Sequence, residues 1–146
     1  MNTADVAQVM AIASSLPDAP RWPPAAYLDA LDLEFTPRRI ALVATGSQAG
    51  NVEGFVVASL LPPQAELETI AVAAESQRRG LGRQLFDALA EELRATGVRQ
   101  VCLEVRALNS AAQAFYRSLG FGKTGLRRGY YTDPIEDAVL MALTLG

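Results

Sequence analysis

The chain has 146 residues, half of them apolar and a fifth charged, enough to bury a core as one domain over 1–146 without disulfide or metal staples. Its formal charge of −3 and pI near 4.9 argue against a general nucleic-acid binder. Cys102 is the sole cysteine and histidine is absent, which excludes an intrachain disulfide, a zinc site built on imidazole and any Ser-His or Cys-His nucleophile. Proton transfer would have to use Glu, Asp, Tyr, Lys, Cys or water.

Val6, Val9, Met10 and Ala13 recur at helical spacing and predict a helix over 5–16. Its apolar character resembles a signal peptide, but Asp5 precedes it and no Lys or Arg occurs before Arg21, so a positive leader is missing. No apolar run reaches membrane-spanning length, and the reading is a cytoplasmic protein with no membrane partner. Pro17-Asp18-Ala19-Pro20 ends this helix, and Pro23-Pro24 opens a second one running to Leu31. Trp22, in the connection, reads first as a packing anchor and second as a pocket wall.

Segments 39–45 and 53–61 read as strands, joined through turn residues 46–51 into an antiparallel hairpin. Pro62-Pro63 breaks the second strand, and a third is expected over 66–72. The stretch Gln77-Arg78-Arg79-Gly80-Leu81-Gly82 follows, then a helix over 83–96 ended by Gly97. A strand, a glycine-bearing turn and a helix aim unpaired N–H groups and the positive end of a dipole at one spot, which suits a phosphate. Gly80 and Gly82 would let a ligand approach the backbone and tolerate positive φ, while Arg78, Arg79 and Arg83 add cations. The stretch matches neither the triphosphate loop G-x-x-x-x-G-K-[ST] nor the dinucleotide G-x-G-x-x-G.

Leu81, Leu85, Leu89 and Leu93, with Phe86 beside them, form a stripe that should face a sheet. The strand expected over 100–106 puts Val101, Leu103 and Val105 on one face and Cys102, Glu104 and Arg106 on the other. Ser110 with Gln113 reads as a capping box for a helix to Leu119, stopped by Gly120. The last strands are expected over 121–131 and 138–145. Strand 66–72, the helix and strand 100–106 make a right-handed β-α-β unit with parallel strands, flanked by hairpins, so the fold class is α/β with a mixed sheet.

Glu104 is the first candidate for chemistry, because a charge in the middle of such a strand is unusual. A partly buried carboxylate there can act as a general base, directly or through water; its plain alternative is an outward-facing group or a partner for Arg106. Tyr116 shares a helix stripe with Ala112, Phe115 and Leu119; it is a core aromatic or a phenol able to protonate a leaving thiolate. Cys102, in a strand without a basic partner, reads as inert.

Gln77–Gly82 after Ile70-Ala71-Val72 resembles the coenzyme A pyrophosphate loop of the GNAT acetyltransferase superfamily, [Q/R]-x-x-G-x-[G/A]. Leu103-Glu104-Val105-Arg106 through Asn109 and Ala112, then Phe115-Tyr116 to Leu119-Gly120-Phe121, is similar to the L-E-V-R-x-x-N-x-x-A…Y-x-x-[L/F]-G-F block of RimI-type N-terminal acetyltransferases. Arg127-Arg128-Gly129-Tyr130-Tyr131 and Glu136-Asp137-Ala138-Val139-Leu140-Met141 resemble that family's ending. These blocks cover about residues 65–146.

The resemblance implies a mostly antiparallel sheet around the parallel unit, helices on both faces, and acetyl transfer from acetyl-CoA without a metal. The acceptor would be the α-amino group of a protein or peptide, a ribosomal protein among the family's substrates. By residue, the backbone of Ile70, Ala71 and Val72 would pair with the pantetheine arm. Arg78, Arg79, Gly80, Leu81, Gly82 and Arg83 would hold the pyrophosphate, and Asn109 would bond the cofactor arm. Glu104 would be the base, with Glu68 its rival on the strand face of Ile70 and Val72, and Tyr116 the acid. Tyr130 and Tyr131 would hold the substrate's N-terminal backbone.

Three departures stand out. Family members usually open with a strand ahead of the first helix; here helix pattern starts by Asp5, so that strand is absent or the start is late, and an exposed sheet edge follows. The turn between Tyr131 and Glu136 is shorter than in the bacterial prototype, and Gly129 stands in place of its asparagine. These leave a lysine or a small amine open as acceptor, with a non-catalytic coenzyme A-binding module as the last alternative, and the oligomeric state undetermined.

Overall fold

A computed structural model describes residues 1–17, 19, 20, 22–46 and 50–146. A short 3-10 turn at Thr3–Asp5 leads into α1 (Val6–Ser15), and α2 (Pro24–Leu31) follows with proline at its first turn. Strands β1 (Arg39–Thr45), β2 (Val52–Leu61) and β3 (Gln64–Val72) form an antiparallel meander. Then come α3 (Leu81–Ala95), β4 (Gln100–Arg106), α4 (Ser110–Ser118), β5 (Gly122–Thr132) and β6 (Ile135–Thr144). The predicted elements are all present, with ends displaced by a residue or a few. Of the expected break at 17–20 and turn at 46–51, Asp18, Ser47, Gln48 and Ala49 lie outside the described residues.

The sheet runs β1-β2-β3-β4-β6-β5, antiparallel except for β3 and β4. Helices cover both faces, each over its own core. Leu85, Phe86, Leu89 and Leu93 of α3 pack on Val56, Ala58, Leu67, Val101 and Leu103, with Ala112, Tyr116 and Leu119 of α4 against the same cluster. Val6, Val9 and Ile12 of α1 and Tyr27 of α2 pack on Phe55, Val57 and Ala71 behind the sheet. The α3 stripe and the β4 alternation therefore bury the residues their periods select.

Two irregularities shape the middle of the sheet. The parallel pair β3·β4 is joined only at Gln64–Gln100, Ala65–Val101 and Glu66–Cys102, after which the strands part although each runs on. Across β2, Val57 faces Thr69 and Ala58 faces Leu67, so Glu68 is an extra residue, a β-bulge. Facing accordingly reverses there: Ala65 and Leu67 belong to the α3 core, and so do the even-numbered Ile70 and Val72.

The sheet edge expected near the N-terminus is β1, which has only β2 beside it; the Met1 ammonium donates to Ala41 O at 3.1 Å. One local expectation fails. Asn109, not Ser110, caps α4: its Oδ1 accepts from Ala112 N–H at 3.1 Å. Gln113, the supposed box partner, instead donates through Nε2 to Arg106 O and Ala107 O. Asparagine is as good a cap as serine, and tertiary carbonyls won the glutamine. Asn109→Ala should therefore cost about 1 kcal/mol of stability in urea unfolding, whereas Ser110→Ala should cost almost nothing.

Candidate active site

The parting of β3 and β4 opens a cleft of about 1150 Å³ that passes between the two faces of the sheet. Ile70, Asn109, Ala112 and Tyr116 line it on the α4 side. Glu66, Glu68, Glu104, Arg106, Tyr130 and Tyr131 line it on the side of α2, with Trp22, Asp29 and Phe35. Trp22 does both jobs foreseen for it, since its ring also lies 5.2 Å from that of buried Tyr27.

Backbone pairing decides what the gap presents. Ala73 N–H bonds Glu53 O, so by alternation Ala71 pairs with Phe55 on β2, while Ile70 and Val72 aim their N–H and C=O groups into the gap. Gln77 Nε2 returns to Val72 O at 3.0 Å and pins the loop to the strand end.

In that loop Gly80 caps α3 at φ +77°, and Arg78 also adopts positive φ, +65°, a conformation uncommon for a side chain of its size. Gln84 N–H takes Gly80 O, leaving the N–H groups of Leu81, Gly82 and Arg83 without an intrahelical partner. The positive φ expected at Gly82 is not found. Its φ is ordinary, but a Cβ there would stand 2.9 Å from the Phe115 ring. Arg83 Nη2 donates to Ser118 O at the end of α4, so it links the two helices. Val72 and 78–83 do not line the cleft itself; they stand beyond its α4 end.

Tyr116 is held between Phe115 and Phe121, with centroids 5.6 and 5.9 Å away. Burial, reinforced by Tyr131, pushes its phenol up to about 12, so it carries its proton at any physiological pH.

Glu104 lies on the opposite face from Leu103 and Val105 and is not paired with Arg106. Its Oε1 is 3.5 Å from Arg127 Nη1, on an arginine more than half exposed. The nearby Glu104 carboxylate, as an acceptor first and as a charge second, raises the Tyr130 phenol above its ordinary value. Arg106 instead stands 3.5 Å from Glu136 and 4.2 Å over the Tyr131 ring. Glu68 does not share the face of Ile70 and Val72, because the bulge intervenes. Arg39 Nε holds it at 3.0 Å, from a residue that faces away from Ile40 and the α3 core.

Sequence reasoning passed over two groups. Glu66, on the last rung before the strands part, has its carboxyl raised by burial and then by Glu68 and Glu104, against the opposing pull of Arg127 and Arg39. The signal was the Glu66-Leu67-Glu68 spacing, which sets two acids on one face. The other is the pair that follows Ile135: Glu136 Oε2 accepts from Leu108 N–H at 2.9 Å, and Asp137 Oδ1 accepts from Gly129 N–H at 2.8 Å. Burial, with Glu66 adding to it, raises the Cys102 thiol, as expected of an inert cysteine.

Residues 8–121 match the model of the Acetyltransferase (GNAT) family. The chain belongs to the GNAT acetyltransferase family. It is 46% identical over 101 residues to the [ribosomal protein bS18]-alanine N-acetyltransferase of Escherichia coli K12, covering 68% of each chain. Against the N-alpha-acetyltransferase RimI of Mycobacterium tuberculosis the identity is 41%, over 82% of this chain and 73% of that one. The crystal structure of the E. coli ribosomal-protein-S18-alanine N-acetyltransferase superposes with TM-score 0.83 at 35% identity, spanning all of this chain and 91% of the other. The fold is thus GNAT-like as expected, and the protein is an acetyltransferase of a family that uses acetyl-CoA. Among the described residues, no helix is long and apolar enough to cross a membrane.

The Tyr116 shift has a signed consequence. The unfolded chain releases this proton near pH 10 and the folded one near 12, so its contribution to stability is complete below about 10 and is lost as pH rises between the two. Absorbance titration of the native protein should show tyrosine ionisation extending to about pH 12, and that late amplitude should fall in Tyr116→Phe; an unchanged late amplitude would contradict the raised phenol.

Proposed function

We propose that residues 1–146 act as one domain that transfers the acetyl group of acetyl-CoA to the α-amino group of a protein N-terminus in the cytoplasm. The observation that carries this reading is the single cleft joining Tyr116 on one face of the sheet to Glu104, Tyr130 and Tyr131 on the other. The relatives named for N-terminal alanine acetylation support the choice of acceptor.

The residues present suit acetyl-CoA. The Gly80 position is open to solvent, with nothing within 4 Å of where a Cβ would be, and it sits at the N-terminus of α3 beside Arg78 and Arg79. The free N–H groups of Leu81, Gly82 and Arg83 would take the pyrophosphate, with Arg83 bridging to α4. Ile70 and Val72 offer backbone to the pantetheine arm, Ala71 between them is tied to Phe55 of β2, and Asn109 retains its Nδ2 donor after capping α4. Bound acetyl-CoA supplies an activated acetyl group as a thioester.

In this reading Glu104 takes a proton from the acceptor amine, directly or through water, as the amine nitrogen bonds the acetyl carbon. Ile70 or Val72 N–H stabilises negative charge on the carbonyl oxygen. The carbon–sulfur bond breaks and Tyr116 gives its proton to the departing sulfur. Tyr130 and Tyr131 hold the acceptor backbone. An α-amine, with a pKa of about 7.7–8.0 against about 10.4 for lysine, asks only a mild base. Glu68 is the weaker candidate for base because Arg39 occupies its carboxylate.

Coenzyme A release tests the acceptor. A peptide with a free N-terminal alanine should support release; one with a blocked amine and an internal lysine should not. The reverse result would move the reading to lysine, and release with neither would move it to small amines. Glu104→Gln should lower kcat by about 10²–10⁴ with little change in acetyl-CoA affinity, and Tyr116→Phe similarly. Normal turnover of Glu104→Gln would promote Glu68.

A further inference from the structure

Tyr130 and Tyr131 are consecutive in a strand, so a regular ladder would send their side chains to opposite faces. Both line the cleft. The register explains how: Arg127 faces Ala138 and Tyr131 faces Glu136, so β5 takes four steps where β6 takes two. The two surplus residues form a bulge around Gly129, which adopts φ +60°. Nothing lies within 4 Å of where its Cβ would be, so glycine answers a conformational demand there and not a crowding one. Asparagine tolerates the same conformation.

We propose that Asp137 is a positioning residue for the acceptor site: by accepting the Gly129 N–H it latches this bulge and turns both tyrosines toward the amine-binding side of the cleft. Three features support the latch. The Asp137 Oδ1–Gly129 N distance is 2.8 Å, a good hydrogen bond from a charged acceptor. Asp137 is itself anchored, since its carbonyl accepts Ala107 N–H at 2.9 Å and so ties the bulge to the segment that follows β4. Beyond the bulge, each tyrosine meets its own cation: Arg106 lies 4.2 Å over the Tyr131 ring and Arg127 5.5 Å over that of Tyr130. The two rings stand edge to face at 5.1 Å, a contact that favours their shared placement. Asp137 touches no reacting atom; it acts through Gly129 on Tyr130 and, beyond it, on Glu104.

The inference rests on reading this end of the cleft as the acceptor site, but the latch can be measured without any acceptor. The protein carries four tyrosines, which can be followed by NMR of ring-labelled tyrosine and assigned through single Tyr→Phe variants. Asp137→Ala should return the Tyr130 titration toward that of a free phenol, because the ring loses Glu104, while the late titration of Tyr116 stays. With the N-terminal-alanine peptide, the same variant should raise the acceptor KM by about five- to tenfold, the worth of one hydrogen bond, at unchanged KM for acetyl-CoA. Asp137→Asn keeps the oxygen and should restore both readouts. Gly129→Asn should behave as wild type and Gly129→Val should behave like Asp137→Ala. An unmoved Tyr130 titration in a folded Asp137→Ala protein overturns the latch, as does failure of Asp137→Asn to rescue. A shifted titration with no peptide acetylated would retain the latch and remove the acceptor reading instead.

Discussion

Everything at the site depends on two neighbouring strands that stop pairing. β3 and β4 share three rungs and then separate, leaving backbone N–H and C=O groups of β3 with no strand partner in the middle of a sheet. Unpaired backbone polar groups in a protein's interior are costly unless something meets them. Here the separation opens a through-passage, so solvent or a ligand can reach them. It also lets groups from opposite faces address one space: Tyr116 belongs to the α4 side and Glu104 to the α2 side. A continuous sheet would have kept these two side chains apart.

The bulge at Glu68 is the companion of that gap. By skipping one residue it changes which side chains of β3 reach the α3 core, from odd numbers before it to even numbers after it. Ile70 and Val72 can then anchor the strand end against α3 while their backbone faces the opening. The same shift carries Glu68 to Arg39. Of the three glutamates on this side, Glu68 and Glu104 therefore have arginine partners, and Glu66 is left with a raised carboxyl at the root of the cleft. A second bulge, around Gly129, works the other wall and brings two tyrosines to bear where a plain strand would offer one.

Electrostatics at the site follow from this geometry. Glu104 has one arginine at 3.5 Å, largely exposed to water. Such a carboxylate is held in direction without being locked into a dry ion pair, since exposed pairs are weak. Tyr116, in contrast, is packed among aromatics that keep its proton on. In the proposed reaction, the first group would take a proton and the second would keep one until negative charge appears beside it.

The sequence by itself determined the elements and singled out many of the residues that line the cleft. Periodicity and turn residues located every helix and strand to within a few residues, because each period states which face must be buried. The glycine-bearing turn, Glu104, Tyr116, Asn109 and the paired tyrosines were legible because their chemistry is unusual for their positions or their motifs are shared with the family. Relations between segments were decided only by the tertiary structure. Asn109 caps α4 because Gln113 found carbonyls of the preceding loop, and Gly82 is glycine because Phe115, on another helix, crowds it. Arg106 chose Glu136 and Tyr131 over Glu104, two residues away in its own strand. Bulges were the deepest omission. An extra residue leaves no mark on composition or alternation that one strand can show alone, since it exists only relative to the strand beside it.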